Sequence, residues 1–292
     1  MSNAAGNARE RFERFVRWTI QKEYGPIQAR LPEGERAAFA DYYKNLPKPG
    51  DEAAIARYLR GFWRSEAGWT ARWIGERAKA IGARPRVMDA GSGFGTYAML
   101  YASAGADVVG ADLRPDRLAA AQTRLAFHHE STGETLPVRY DRADLTKEWD
   151  GDYDLVWVYN ALSHIDPVEG FLEQVRKHLK PGGVLVIGDI NGAHPKHHKR
   201  LQEIRGDDVH PGYTAPDGQH YTYAMEREFP PAEIRQIFEA NGLRMVHHEL
   251  FWGGLGMLPE PVYQMAMRPV QRMWWFGHNV ALRQLVVATP AR

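Results

Sequence analysis

The stretch Arg86-Val87-Met88-Asp89-Ala90-Gly91-Ser92-Gly93-Phe94-Gly95 sets the architecture of this chain. A short strand-like run ends in an acid, then three glycines at alternate positions, then a helix-length segment through Tyr97, Met99, Leu100 and Tyr101. That order is strand, loop, helix. Glycines in such a loop let the backbone approach a ligand closely and relieve positive φ angles. The dinucleotide-binding fingerprint wants its third glycine one residue later, where this chain has Thr96. Asp89 points the same way, because a carboxylate beside a pyrophosphate repels it, whereas a cationic amino-acid tail attracts it.

Downstream the alternation repeats. Asp107 to Asp112 reads as a strand, Pro115 to His128 as a helix and Pro137 to Tyr140 as a strand. Tyr153 to Val158 is a near-continuous apolar run suited to a strand buried on both faces. For the helix after it, Asp166 is the expected cap, with Pro167 at the first helical position and Glu169 reaching back to the cap amide. That helix is expected to stop at Lys180-Pro181-Gly182-Gly183. Val184 to Gly188, Leu243 to Leu250 and Gln284 to Ala288 supply further strands, with a helix from Pro231 to Ala240. Alternating strands and helices imply a parallel sheet.

Upstream, Arg9 to about Gly82 is helical and amphipathic, with Phe12, Phe15, Val16 and Ile20 on one stripe. Leu31-Pro32-Glu33-Gly34 and Leu46-Pro47-Lys48-Pro49-Gly50 break it. The division expected is a helical extension over 1–80 and an α/β domain over 81–292, interrupted by insertions near 191–228 and 251–279.

Composition narrows the function. Hydrophobic residues make up 44% and charged residues 25% of the 292 positions, the balance of a globular chain. A net charge of +1 provides no general field for a polyanion, so nucleic acid is disfavoured. The absence of cysteine excludes disulfides and thiolate chemistry, and suits a cytoplasmic protein. No run approaches the roughly 18 apolar residues of a membrane span.

Two more acids follow strands. Asp112, with Leu113 beside it, stands where a carboxylate accepts ribose hydroxyls. Asp144 can accept from an adenine amino group while the Leu145 amide meets a ring nitrogen. From about Val87 to Ile187 the chain resembles the cofactor-binding half of class I S-adenosylmethionine-dependent methyltransferases. Asp89 to Gly95 is similar to their first motif, Asp112 to the ribose acid and Asp144 to the adenine acid. Tyr153-Asp154-Leu155-Val156 resembles the fourth-strand motif, Asn160 to Ile165 the turn after it, and Leu179 to Gly183 the turn before the fifth strand. The resemblance implies a Rossmann-like, seven-stranded, mostly parallel sheet with an antiparallel last strand.

It also implies S-adenosylmethionine as cofactor and S-adenosylhomocysteine as product, with Asp89, Gly91, Ser92, Gly93, Gly95, Asp112, Leu113, Asp144, Leu145 and Asn160 binding it. His164 is the candidate catalytic base, although Ser163 replaces the glutamate that many small-molecule members carry. Trp157-Val158-Tyr159-Asn160 lacks the prolines associated with methylation of nucleobase amino groups. The expected acceptor is therefore a small molecule, its nucleophile being oxygen, nitrogen or carbon. Rival readings are a non-catalytic cofactor-binding subunit and an NAD-dependent oxidoreductase.

His194, His197, His198, His210 and His220 cluster with Asp189 in sequence, but their spacing fits no zinc signature and the expectation is no metal. Aromatics at Trp63, Trp69, Trp73, Tyr213, Tyr221, Tyr223, Trp252, Trp274, Trp275 and Phe276 are candidates to roof a pocket for an apolar or cationic substrate. Met265 to Phe276, with Arg268 and Arg272, suits contact with a membrane surface or with a second subunit of a homodimer.

Overall fold

The computed structural model describes residues 8–197, 199, 203, 212–214, 218, 220–222, 229–252, 256–272 and 281–291. The chain divides into two compact units, Met1–Arg142 and Ala143–Arg292.

The first unit opens with α1 (Ala8–Trp18), which widens into a π-type turn (Thr19–Glu23) before a short α2 (Tyr24–Ile27). The widening has a local cause. Pro26 lacks the N–H that would reach the Lys22 carbonyl, so the ordinary ladder cannot run on unchanged. Then come α3 (Glu33–Tyr43), α4 (Glu52–Trp63) and α5 (Glu66–Ile81). Helices thus fill the stretch where the sequence predicts them, with a third break at Arg64-Ser65 beyond the two that proline and glycine announce. There the Ser65 hydroxyl accepts from the Ala67 amide and starts α5.

The strands β1 (Arg86–Ala90), β2 (Asp107–Asp112) and β3 (Val138–Arg142) are parallel, linked by α6 (Thr96–Ala104) and α7 (Pro115–Thr132). Every residue of α6 from Tyr97 to Ala104 is buried, as an apolar helix without a polar face must be. The N-terminal helices supply part of its cover: α1 and α5 both pack on α6. Across that seam the Ser103 hydroxyl donates to the Arg11 carbonyl at 3.3 Å. The Trp18 indole donates to Ser131 of α7 at 2.9 Å and meets the His128 ring edge-on.

In the second unit β4 (Tyr153–Tyr159) leads through a tight 3-10 turn (Leu162–His164) into α8 (Val168–His178) and β5 (Leu179–Ile190). A short hairpin, β6 (Gly212–Thr214) with β7 (His220–Thr222), lies in the first insertion. Next are α9 (Pro231–Ala240), β8 (Leu243–Phe251), α10 (Glu260–Arg272) and β9 (Arg283–Pro290). The apolar side of α10 packs Tyr263, Met267 and Val270 with Leu250 of β8 and with Ala281. β4 and β5 are parallel, and β9 runs antiparallel to both β5 and β8. The strand order is β3-β2-β1-β4-β5-β9-β8, a seven-stranded sheet with one antiparallel strand. No helix among the described residues is long and apolar enough to cross a membrane.

Two local expectations are corrected. Pro167 has ψ of 140°, which is extended backbone, so Pro167 is itself the cap of α8 and the helix starts at Val168. Asp166 stands one residue before that cap. At the other end α8 stops at His178, and Lys180-Pro181-Gly182-Gly183 belongs to the start of β5, where pairing with β4 shifts register between Tyr153 and Leu155.

Candidate active site

Asp89 is the next-to-last residue of β1, so the strand itself carries it to the carboxyl edge of the sheet. The loop that follows folds over the end of β2, because the Gly91 and Ser92 amides both donate to the Ala111 carbonyl, at 2.8 and 3.0 Å. A tight turn then closes as the Gly95 amide donates to the Ser92 carbonyl at 2.8 Å. Gly95 sits at φ +72°, and a Cβ there would fall 2.1 Å from the Tyr140 hydroxyl. Only glycine meets both demands. A Cβ on Gly93 would meet nothing within 4 Å, so the crest of the loop is open to a ligand.

Asp112 holds this loop from below. Its Oδ2 accepts from the Gly93 amide at 2.7 Å, and its Oδ1 accepts from the Arg114 amide at 2.9 Å. Each carboxylate oxygen has a second lone pair that these bonds do not use. Burial pushes the Asp112 carboxyl above its usual range, against the pull of those two amides and of the Arg114 and Arg117 charges.

Asp89 lies deeper, 2% exposed, and its Oδ2 has no hydrogen-bond partner among the described residues. The Ser92 hydroxyl beside it is also buried and unpartnered among them. Burial pushes the Asp89 carboxyl up to about 8, the amide of Ala98 drawing it down and the charge of Asp112 adding to the rise. A buried carboxylate with one oxygen unpartnered among the described residues, next to a second carboxylate with spare lone pairs, forms a site that wants a cation and a hydrogen-bond donor. An α-ammonium for Asp89 and vicinal hydroxyls for Asp112 meet that need, so these residues fit the amino-acid tail and ribose of S-adenosylmethionine.

The first unit therefore brings together Asp89, Gly91, Ser92, Gly93, Gly95, Asp112 and Leu113. The second unit carries Asp144, Leu145, Asn160 and His164. Asp144 accepts from the amide and hydroxyl of Thr146 at 3.0 and 2.7 Å, and pairs with Lys147 at 3.1 Å. Partial burial raises its carboxyl, but the Thr146 bonds and Lys147 outweigh that and hold it below the usual range. Leu145 is buried, and its carbonyl accepts from the Trp149 indole at 3.1 Å.

Asn160 follows β4 in the left-handed region, φ +48°, with its amide bonded to the Gly188 carbonyl at 3.0 Å. Asparagine is among the few side chains that tolerate this backbone. Its Oδ1 accepts from Arg283 at 3.1 Å, and the Arg283 guanidinium lies 4.5 Å over the Tyr159 ring. His164 ends the 3-10 turn, half-buried, its amide bonded to the Ala161 carbonyl.

Arg283 and Tyr140 escape sequence reasoning. Arg283 is 123 residues from Asn160, and nothing in the pattern of either segment pairs them. Tyr140 runs under the loop from β3 and donates to the Gly95 carbonyl at 3.3 Å. The one available sign is that Gly110 stands opposite Tyr140 in the strand register, leaving room for a ring.

Of the candidate roof aromatics, Trp63 belongs to the helical core, edge-on to Phe12 with Arg9 and Arg72 over its faces. Trp252 is 40% exposed. Tyr223, Trp274, Trp275 and Phe276 lie outside the described residues, as do His198 and His210 of the histidine cluster. His194 accepts from the Lys196 amide, which makes it a local turn former. Among the described residues no three His, Asp or Glu side chains gather as metal ligands.

This sheet order, with an acid one residue before the end of β1 and a second acid tying the glycine loop to β2, is the arrangement implied by the resemblance to class I S-adenosylmethionine-dependent methyltransferases. Residues 88–185 match a family described as a methyltransferase domain. The chain is 32% identical over 106 residues to a ubiquinone biosynthesis O-methyltransferase of Cereibacter sphaeroides, covering 36% of this chain and 41% of that one. It is 28% identical over 166 residues to the enzyme of the same name from Roseobacter denitrificans, covering 57% and 62%. The chain thus spans between 41% and 62% of the length of these two curated relatives.

Among solved structures it is similar to the magnesium protoporphyrin IX methyltransferase of Synechocystis with bound SAH, at a TM-score of 0.53 and 15% identity over 96% of this chain and 100% of that one. An S-adenosylmethionine-dependent methyltransferase from Clostridium acetobutylicum gives 0.53 and 14%, covering 88% and 99%. At such identities the likeness is one of fold.

Proposed function

We propose that this protein transfers a methyl group from S-adenosylmethionine to a small-molecule acceptor and releases S-adenosylhomocysteine. The observation that carries the reading is the pair Asp89 and Asp112 beneath the open crest at Gly93, with one Asp89 oxygen buried and unpartnered among the described residues. When bound, the cofactor supplies an electrophilic methyl group on a sulfonium centre. Asp89 holds its ammonium, Asp112 with the Leu113 backbone its ribose and Asp144 with the Leu145 amide its adenine, and Asn160 is a further cofactor-binding residue. Gly91, Ser92, Gly93 and Gly95 shape the loop against it.

Methyl transfer is largely a matter of alignment and of keeping water out. In this reading the helical extension over 1–80 and the insertions near 191–228 and 251–279 cover the acceptor, which is apolar or cationic. His164 takes the proton that the acceptor loses. An oxygen nucleophile is favoured by the O-methyltransferase names of the curated relatives. The protein works in the cytoplasm, as a homodimer or a monomer.

Calorimetric titration with S-adenosylmethionine, S-adenosylhomocysteine and NADH tests the cofactor. Binding of both adenosyl ligands without NADH is the expected result. Binding of NADH alone overturns the reading.

A further inference from the structure

Arg124 on α7 is fully buried, and so is its partner Glu23 from the π-type turn of the N-terminal segment. The pairing is a two-point fork: Nε to Oε1 at 2.6 Å and Nη2 to Oε2 at 2.9 Å. The third nitrogen turns the other way. Nη1 donates to the Phe94 carbonyl at 2.7 Å and to the Thr96 hydroxyl at 2.8 Å, gripping the glycine loop on both sides of Gly95. Tyr43 of α3 hydrogen-bonds the same Thr96 hydroxyl. The guanidinium carbon sits 5.3 Å from the rings of both Phe39 and Tyr43, and Phe39 meets Phe94 edge-on. One cation is therefore bonded to the N-terminal helical segment on one edge and to the loop on the other.

We infer that Arg124 is a positioning residue for the cofactor loop, fixing Phe94 and Thr96 in their binding geometry only while Glu23 and the N-terminal helical segment are seated. The inference rests on the reading that this loop holds S-adenosylmethionine. It makes the segment part of the cofactor site and not solely a cover for the acceptor.

Three features favour positioning over simple stabilisation. A buried ion pair is on balance a weak stabiliser, since desolvation of both charges offsets their attraction. A planar fork with fixed donors suits a task of direction, which a lysine ammonium would not perform. The two atoms it grips, the Phe94 carbonyl and the Thr96 hydroxyl, flank Gly95, whose left-handed backbone sets the turn from the loop into α6.

The test separates loop geometry from global stability. The double variant Glu23→Leu/Arg124→Met removes both buried charges together, Arg124→Lys keeps the charge without the fork, and Thr96→Val removes a single hydroxyl. Each is measured by thermal unfolding, by hydrogen exchange of the ligand-free loop amides from Gly93 to Ala98, and by titration with S-adenosylhomocysteine. The double variant is expected to melt within a few degrees of the wild type, to exchange faster across the loop but not at Val109 of β2, and to bind about tenfold more weakly. Thr96→Val should move the last two readouts in the same direction by a smaller factor.

Folded variants with unchanged loop exchange and affinity within twofold of the wild type would overturn the inference. Should the double variant fail to fold, Thr96→Val decides by the same criteria. A wild type that binds no adenosyl ligand defeats the proposed function instead, and the exchange of the ligand-free loop still decides whether Arg124 positions it.

Discussion

Asp89 illustrates at the scale of one residue how a fold stores a demand for a ligand. Its ordinary value lies near 4, and burial brings it up to about 8. The ligand-free native state therefore binds this proton more tightly than the unfolded chain. The stability it contributes is full below about pH 4 and is lost as pH rises through about 8. A cationic ligand selects the ionised form, so affinity for S-adenosylhomocysteine should rise by about one log unit per pH unit between about pH 6 and 8, with uptake of the ligand releasing about one proton. Calorimetry in buffers of different ionisation heat measures both. Asp89→Asn should flatten the slope and weaken binding, and an equally steep slope in that variant would remove Asp89 as its source. Asp112→Ala loses the proposed ribose acceptor and also the tie to the Gly93 amide, so a loss of roughly thirtyfold in affinity is expected, about 2 kcal/mol. Unchanged affinity in a folded variant would end that assignment. His164→Ala should lower turnover by about a hundredfold with S-adenosylhomocysteine affinity held within a factor of two, as loss of a general base requires. Normal turnover would take His164 out of the mechanism.

Elements owe their placement here to a few close approaches, and these decide what the sequence can reveal. β1, its acid and its three glycines were legible because strand, loop and helix follow one another within a dozen or so residues and each residue type has a local reason. Tyr140 was not, since its role depends on register: β3 lies beside β2 so that Tyr140 pairs with Gly110, where a Cβ would fall 2.6 Å from the ring. Gly110→Ala should accordingly cost about 2 kcal/mol through overpacking and should also disturb the loop, because Ser92 is the next neighbour of that added methyl group at 3.2 Å. Chemical denaturation measures the first effect and S-adenosylhomocysteine affinity the second. Restoration of both by Gly110→Ala/Tyr140→Leu would place the clash at the ring, while a fully stable single variant would show that β3 yields easily. The start of α8 is hidden from the sequence for a related reason. An acid, a proline and a glutamate in capping order do not disclose that Pro167 stays extended and takes the cap position itself.

Over the whole molecule, the first unit shows why an N-terminal run of helices accompanies this sheet. The fully buried α6 has strands on one side and needs apolar cover on the other. α1 and α5 pack on it, while the buried Phe12 of α1 meets Phe62 and Trp63 of α4 and the buried Phe15 meets His128 of α7. The apolar stripe of α1 was readable from its spacing, but what it covers was not, because periodicity gives a helix an apolar face without naming the surface opposite. That surface matters for the proposed cap. A cap that only shields the acceptor would detach with modest loss, leaving a folded domain that still binds S-adenosylhomocysteine. Removal of residues 1–31 from this chain should instead expose α6 and strip Glu23 from Arg124, leaving a large apolar patch and an unpaired buried charge. The expected product is aggregated, or expanded with strong binding of a hydrophobic dye and no cooperative melting transition. Gel filtration, dye fluorescence and calorimetric melting distinguish these states from a native domain. A monodisperse truncated protein that melts cooperatively and binds S-adenosylhomocysteine with near-native affinity would show that the helices are a cover and that the loop keeps its shape without them.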